Sequence, residues 1–205
     1  MYIPKNMQLN DDEVIVRFIR QYSFGQLITS TLDVTYLPLV LESDEAEKGV
    51  LYGHMARANS QWKNLQDQRV LVVFNGPHSY ISPTWYQTTP AVPTWNYAAV
   101  HCYGKVELLD DTQSSIALDK LVAQFEPALL QNTEVMPKSY QRKLDQAIVG
   151  FKIVIDDIQA KEKLGQHRSA ADQNSVFTAL QTSPHADARQ LASYMQLRNL
   201  GTGSE

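Results

Sequence analysis

At 205 residues the chain suffices for one domain, or one domain with a helical appendage, and is too short for two large independent ones. Its 43% apolar and 20% charged content excludes both a disordered chain and a bundle of membrane helices. With 22 acidic against 18 basic side chains the net charge is −4, so the average surface repels polyanions and an anionic ligand needs a local grip.

The N-terminus Met1-Tyr2-Ile3-Pro4-Lys5 lacks the apolar core of a signal peptide, and no run nears the roughly 18 apolar residues of a membrane span. A cytoplasmic protein without membrane contact is expected. One cysteine, Cys102, excludes an internal disulfide framework and a Cys-based zinc cage.

Asp11-Asp12-Glu13 ahead of Val14, Ile15, Phe18 and Ile19 predicts a helix over 11–22, with acids at the positive end of its dipole. After Gly25 the pattern turns to short aliphatic runs, Leu27–Ser30, Leu37–Leu41 and Val50–His54, which predict a meander of strands. Ala58–Leu65 suits a short helix. Val70–Phe74 reads as a buried strand stopped by Gly76-Pro77, and Ser82–Pro93, with Pro83, Pro90 and Pro93, as a long loop. Ala98–Leu109 and Val149–Ile158 predict long strands, the second with Phe151, Ile153 and Ile155 alternating on one face. Helices are expected over Ser115–Leu130, Ser139–Ile148, Ala170–Gln181 and Ala186–Leu197, and the Gly201–Ser204 tail reads as disordered. Six or so strands with peripheral helices predict a mainly β, α+β barrel. The expected organisation is a barrel domain over 1–160 and a C-terminal helical extension over 161–205, packed on the barrel or a dimer.

Three constellations stand out. Between Tyr80 and Tyr103, 6 of 24 residues are aromatic against 9% for the chain: Tyr80, Trp85, Tyr86, Trp95, Tyr97 and Tyr103. A proline-rigid loop carrying such side chains either covers its own core or packs them on a partner subunit or planar ligand. In Gly53-His54-Met55-Ala56-Arg57-Ala58-Asn59 a strand end meets a predicted helix start, where free amides and an arginine fork can hold a phosphate. An ion-paired surface arginine is the plainer reading of Arg57, and a hydrogen-bonded core residue that of His54. Lys161 to Arg168 gathers four potential cations with one acid after a strand, either a solvated turn or a loop that closes on an anion.

The five histidines show no HExxH spacing, so metal ligation is not expected. There is no GxSxG, Walker loop or GxGxxG. His101 and Cys102 are strand neighbours that point to opposite faces, which argues against a Cys-His dyad.

The blocks Met1–Lys5, Leu37-Pro38-Leu39, Gly53–Lys63, Phe74–Tyr86, Val92–Tyr97 through Tyr103-Gly104, Gly150–Ile153 and Lys161–Gln166 resemble the PaiB family. The chain departs from that pattern at Tyr36, where a histidine is usual, and at Gly165-Gln166-His167 in place of Ser-Gln-Asn. The resemblance implies an FMN-binding split β-barrel related to pyridoxamine-phosphate oxidases, a homodimer with flavin at the subunit interface, and a family label of transcriptional regulator.

On this reading Thr35, Tyr36, Leu37 and Pro38 face the isoalloxazine, and His54, Arg57 and Asn59 hold the ribityl-phosphate end. Trp85, Tyr86 and Trp95 of the other subunit cover the ring, Trp62, Asn96, Lys163 and Gln166 complete the cofactor site, and no catalytic residue is assigned. The expected function is a flavin-dependent oxidoreductase or flavin sensor, in which the cofactor carries the chemistry. The alternatives are a negative regulator binding DNA, against which the net charge and the lack of a basic stripe both stand, and a haem-binding or haem-degrading barrel.

Overall fold

In the computed structural model, which describes residues 1–204, seven strands and five α-helices follow one another in the order α1, β1–β6, α2, α3, β7, α4, α5. The strands are β1 (Phe24–Ile28), β2 (Val34–Pro38), β3 (Val40–Glu42), β4 (Val50–Ala56), β5 (Arg69–Ile81), β6 (Thr94–Leu108) and β7 (Ile148–Lys163). They form one antiparallel sheet in the order β2-β1-β5-β6-β7-β4-β3. The helices are α1 (Asp12–Gln21), α2 (Asp111–Phe125), α3 (Lys138–Asp145), α4 (Ala170–Gln181) and α5 (Ala186–Arg198). Among the described residues no helix is long and apolar enough to cross a membrane.

The chain divides into two compact units. Residues 16–74 and 101–158 make one, here the sheet unit. Its core is Leu27, Leu39, Leu51, Leu65, Phe74, Phe151 and Ile153, all fully buried, each stabilising by about 1.5–3 kcal/mol. Here β1 pairs with β2 in the register Gln26↔Tyr36, and β4 with β7 in the register Gly53↔Phe151. Glycine at 53 is a packing requirement, because a Cβ there would lie 2.6 Å from Leu39 Cδ2 and 2.8 Å from Phe151 Cζ. Asp110 and Gln113 form a capping box that starts α2, and the chain breaks from it before Pro127.

Residues 1–15, 75–100 and 159–204 make the other, here the helical unit. Its core is Ile81, Leu164, Leu180, Leu191 and Met195. Glu162 is buried in it and accepts from Tyr194 Oη at 2.5 Å and Arg198 Nε at 2.7 Å.

Five sequence expectations are corrected. The strand at Val70–Phe74 runs on through Gly76-Pro77 to Ile81. Its partner β1 pairs with it only over Leu71–Val73, so a proline lacking an N–H is tolerated beyond that point. Leu37–Leu41 is two strands hinged at Pro38-Leu39, which raises the count to seven. Ala58–Leu65 forms only a 3-10 turn over Ser60–Asn64, capped by Asn59. The helix predicted to Leu130 ends at Phe125. The tail is packed: Gly201 and Thr202 are buried, and Gly201 has φ +73, with Leu164 O only 2.2 Å from where a Cβ would sit.

Candidate functional site

The residues singled out in the sequence fall into separate clusters, some in each unit. In the sheet unit, Thr35 on β2 donates to Gln61 Oε1 and accepts from Asn59 Nδ2 at 3.0 Å. Asn59 Oδ1 accepts from the Gln61 amide at 3.0 Å, and Gln61 Nε2 donates to Asp33 O at 3.1 Å. This closed network pins the β1–β2 hairpin to the 3-10 turn. Gln61 is its hub and was not singled out from the sequence; the Asn-x-Gln spacing of an Asx turn was the available signal.

Strand alternation sends Leu37 into the core and Tyr36 to the outside, where it stacks on Phe24 with centroids 6.1 Å apart. Tyr36 lies on β2, an edge strand of the sheet, and Phe24 on the neighbouring β1, and both rings are exposed. Pro38 ends β2.

His54 lies on β4 beside a small void lined by Tyr52, Ser114, Ala117, Leu118 and Leu121. Burial lowers its pKa below the ordinary 6.5, so the imidazole is neutral at pH 7. Arg57, just past β4, donates through Nε to Gln146 O at 2.9 Å and through Nη2 to Ile148 O at 2.7 Å. Its guanidinium lies 5.9 Å from the Trp62 ring centroid, and Trp62 Nε1 donates to Arg57 O at 2.9 Å. The surrounding groove, about 660 Å³, also carries Arg142, Asp111 and Asp145. The amides expected to help here belong to a five-residue 3-10 turn, which has no appreciable dipole to offer an anion.

In the helical unit the proline-rich loop is built from its ends. Ser82 caps the 3-10 turn Pro83–Trp85, and further on Asp172 at the start of α4 accepts from Gln87 N, Thr88 N and Thr88 Oγ1 at 2.8, 3.0 and 2.6 Å. Trp85 and Trp95 line a cleft of about 580 Å³ with His78, Tyr80 and the α4–α5 connection. Trp95 contacts His78 at 5.6 Å and Tyr80 at 6.5 Å, and remains half exposed.

Lys163 closes β7 with its ammonium on Thr94 Oγ1 at 2.5 Å and Trp95 O at 2.6 Å. Gln166 spends its amide on the chain itself, accepting from Leu164 N at 2.8 Å and donating to Glu162 O at 2.6 Å. Asn96 is buried beside Gly165. Lys161, in the run whose sequence reads as either a solvated turn or a loop that closes on an anion, lies at the end of β7 and is buried against the rings of Tyr2 and Tyr97 at 5.7 and 5.2 Å. Arg168 lies 4.5 Å over the Tyr86 ring.

Comparison with known proteins decides what kind of protein carries these clusters. A family model described as "Putative FMN-binding domain" matches residues 1–157. The protease synthase and sporulation protein PAI 2 of Bacillus subtilis is 37% identical over 96% of this chain and 97% of its own. The chain belongs to the PaiB family.

This PaiB-family chain is also 33% identical to an uncharacterized protein of Emericella nidulans, AN0679, over 82% of the chain and 85% of that relative. Among solved structures it is similar to the flavocytochrome Anf3 of Azotobacter vinelandii, with a TM-score of 0.59 and 15% identity over 80% of this chain and 73% of that one. It is likewise similar to the FAD and heme binding protein of Mycobacterium smegmatis, with a TM-score of 0.58 and 14% identity over 78% and 74%. The fold is a split β-barrel, and the PaiB-family assignment makes this a flavin-binding type of domain. Among the described residues no group of His, Cys, Asp and Glu is placed to hold a metal ion.

Proposed function

We propose that this protein binds FMN as a homodimer and serves as a flavin-dependent oxidoreductase or flavin sensor. The family match over residues 1–157 is the observation that carries the reading. The residues present also suit a phosphorylated planar ring. Exposed or half-exposed aromatics are available at Tyr36 and Phe24 in one unit and at Tyr80 and Trp95 in the other. Among the described residues Lys163 and Arg168 carry no paired carboxylate, and Arg168 Nε is buried without a hydrogen-bond partner.

A bound flavin supplies one- and two-electron redox chemistry, so the chain need supply only binding, orientation and shielding. No nucleophile is required of it, in keeping with the inert setting of Cys102, whose burial raises the thiol pKa to about 12.

Phe24, Leu32, Val34 and Tyr36, all exposed on or beside the edge strand β2, form an apolar patch suited to a second copy of the chain. The DNA-binding alternative loses its two C-terminal arginines to internal contacts: Arg189 donates to Ser183 O at 2.7 Å and Arg198 to Glu162. The test is titration of the purified protein with FMN, followed by flavin fluorescence and sedimentation. Saturable quenching by a dimer is the expected result, whereas a monomer indifferent to flavin overturns the proposal.

A further inference from the structure

Resting on the flavin reading, we infer that the FMN phosphate is held by Lys163 and Arg168 in the helical unit, and that Arg57 is a structural staple. Lys161, Glu162 and Lys163 are consecutive on β7, so alternation puts the two lysines on one face and the glutamate on the other. Glu162 turns inward to Arg198 and Tyr194 and neutralises neither lysine. No carboxylate is paired with Lys161, Lys163 or Arg168 among the described residues. In a chain of net charge −4, that is a concentrated positive field lacking its counter-charge.

The two heads are fixed in advance. Lys163 has two of its three N–H groups on Thr94 Oγ1 and Trp95 O, which leaves one to donate outward. Arg168 sits over the Tyr86 ring and is placed by a turn at Gly165, whose φ of +86 a side-chain-bearing residue rarely adopts and whose carbonyl accepts from Arg168 N at 2.9 Å. Its Nε is buried without a hydrogen-bond partner, so the guanidinium keeps donor capacity that the chain does not use.

Burial first, then Lys161 and Arg168, lower the Lys163 pKa; burial, then Arg168 and Lys163, lower that of His167. A dianionic phosphomonoester would relieve that repulsion. Trp95 joins the cluster to the aromatic cleft, since its carbonyl accepts from Lys163 while its residue lines the cleft. Arg57, by contrast, has two N–H groups on backbone carbonyls and shares its groove with Asp111 and Asp145.

The test is calorimetric titration of the full-length protein with FMN, riboflavin and AMP, comparing wild type with K163Q/R168Q and R57Q. Wild type is expected to prefer FMN to riboflavin by about tenfold or more. K163Q/R168Q should lose that preference, and R57Q should keep it. AMP should compete with FMN but not with riboflavin. Because Lys163 is half buried, R168Q alone provides a second reading and should lose part of the preference.

A preference that survives in both K163Q/R168Q and R168Q, or disappears in R57Q, overturns this assignment and leaves flavin binding standing. Failure of wild type to bind either flavin overturns the flavin reading and this assignment with it.

Discussion

Arg198 near the C-terminus clamps the buried Glu162 carboxylate, Nε to Oε1 at 2.7 Å and Nη2 to Oε2 at 3.3 Å. The pair joins α5 to β7 within the helical unit. Removing the cation strands a desolvated carboxylate, whereas removing the carboxylate frees an arginine that reaches water, with 23% of its side chain already exposed. R198M should therefore cost about 3 kcal/mol in urea unfolding and E162Q less, with the double variant milder than their sum. Equal effects would show that burial of Glu162 does not govern the pair.

Asp172 is the anchor of the proline-rich loop. Its pKa is lowered by the Thr88 hydroxyl, and the backbone N–H groups of Thr88 and Gln87 add to this. D172A should raise hydrogen exchange at the Gln87 and Thr88 amides by about tenfold or more, and leave the amides of β4 in the sheet unit at their wild-type rates. Uniform acceleration across the chain would mean global destabilisation instead of release of the loop.

His54 sets a pH dependence whose sign follows from burial. Its folded pKa lies below the ordinary 6.5, so the unfolded chain takes up the proton first as pH falls. The stability its neutral form permits is complete at pH 7 and declines as pH drops below about 6.5 toward the folded pKa. H54Q should flatten that part of the curve in urea midpoints measured from about pH 7 to pH 5. An H54Q curve parallel to wild type would remove His54 as the source.

Cys102 should report global unfolding. With its thiol pushed up to about 12 and no exposed surface, it should resist a disulfide exchange reagent at about pH 8 and react at the free-thiol rate in denaturant. Fast labelling of the native protein would show that β6 opens locally.

Period and punctuation in the sequence specified α1, the bodies of the long strands β6 and β7, and the two C-terminal helices, because those segments bury one face whose spacing is visible in one dimension, but β7 runs past the expected end at Ile158 to Lys163. The family blocks likewise specified the split barrel. What could not be read was decided by partners distant in the chain. Pro77 stays in a strand because β1 ends its pairing at Val73, and Arg57 goes to carbonyls on either side of residue 147. Lys161 to Arg168 read as a charge run, yet β7 sorts its residues onto two faces and sends the single acid to Arg198. Residue types state which charges exist; only the folded chain decides which of them are cancelled, since pairing depends on distances of a few ångströms that sequence separation does not encode.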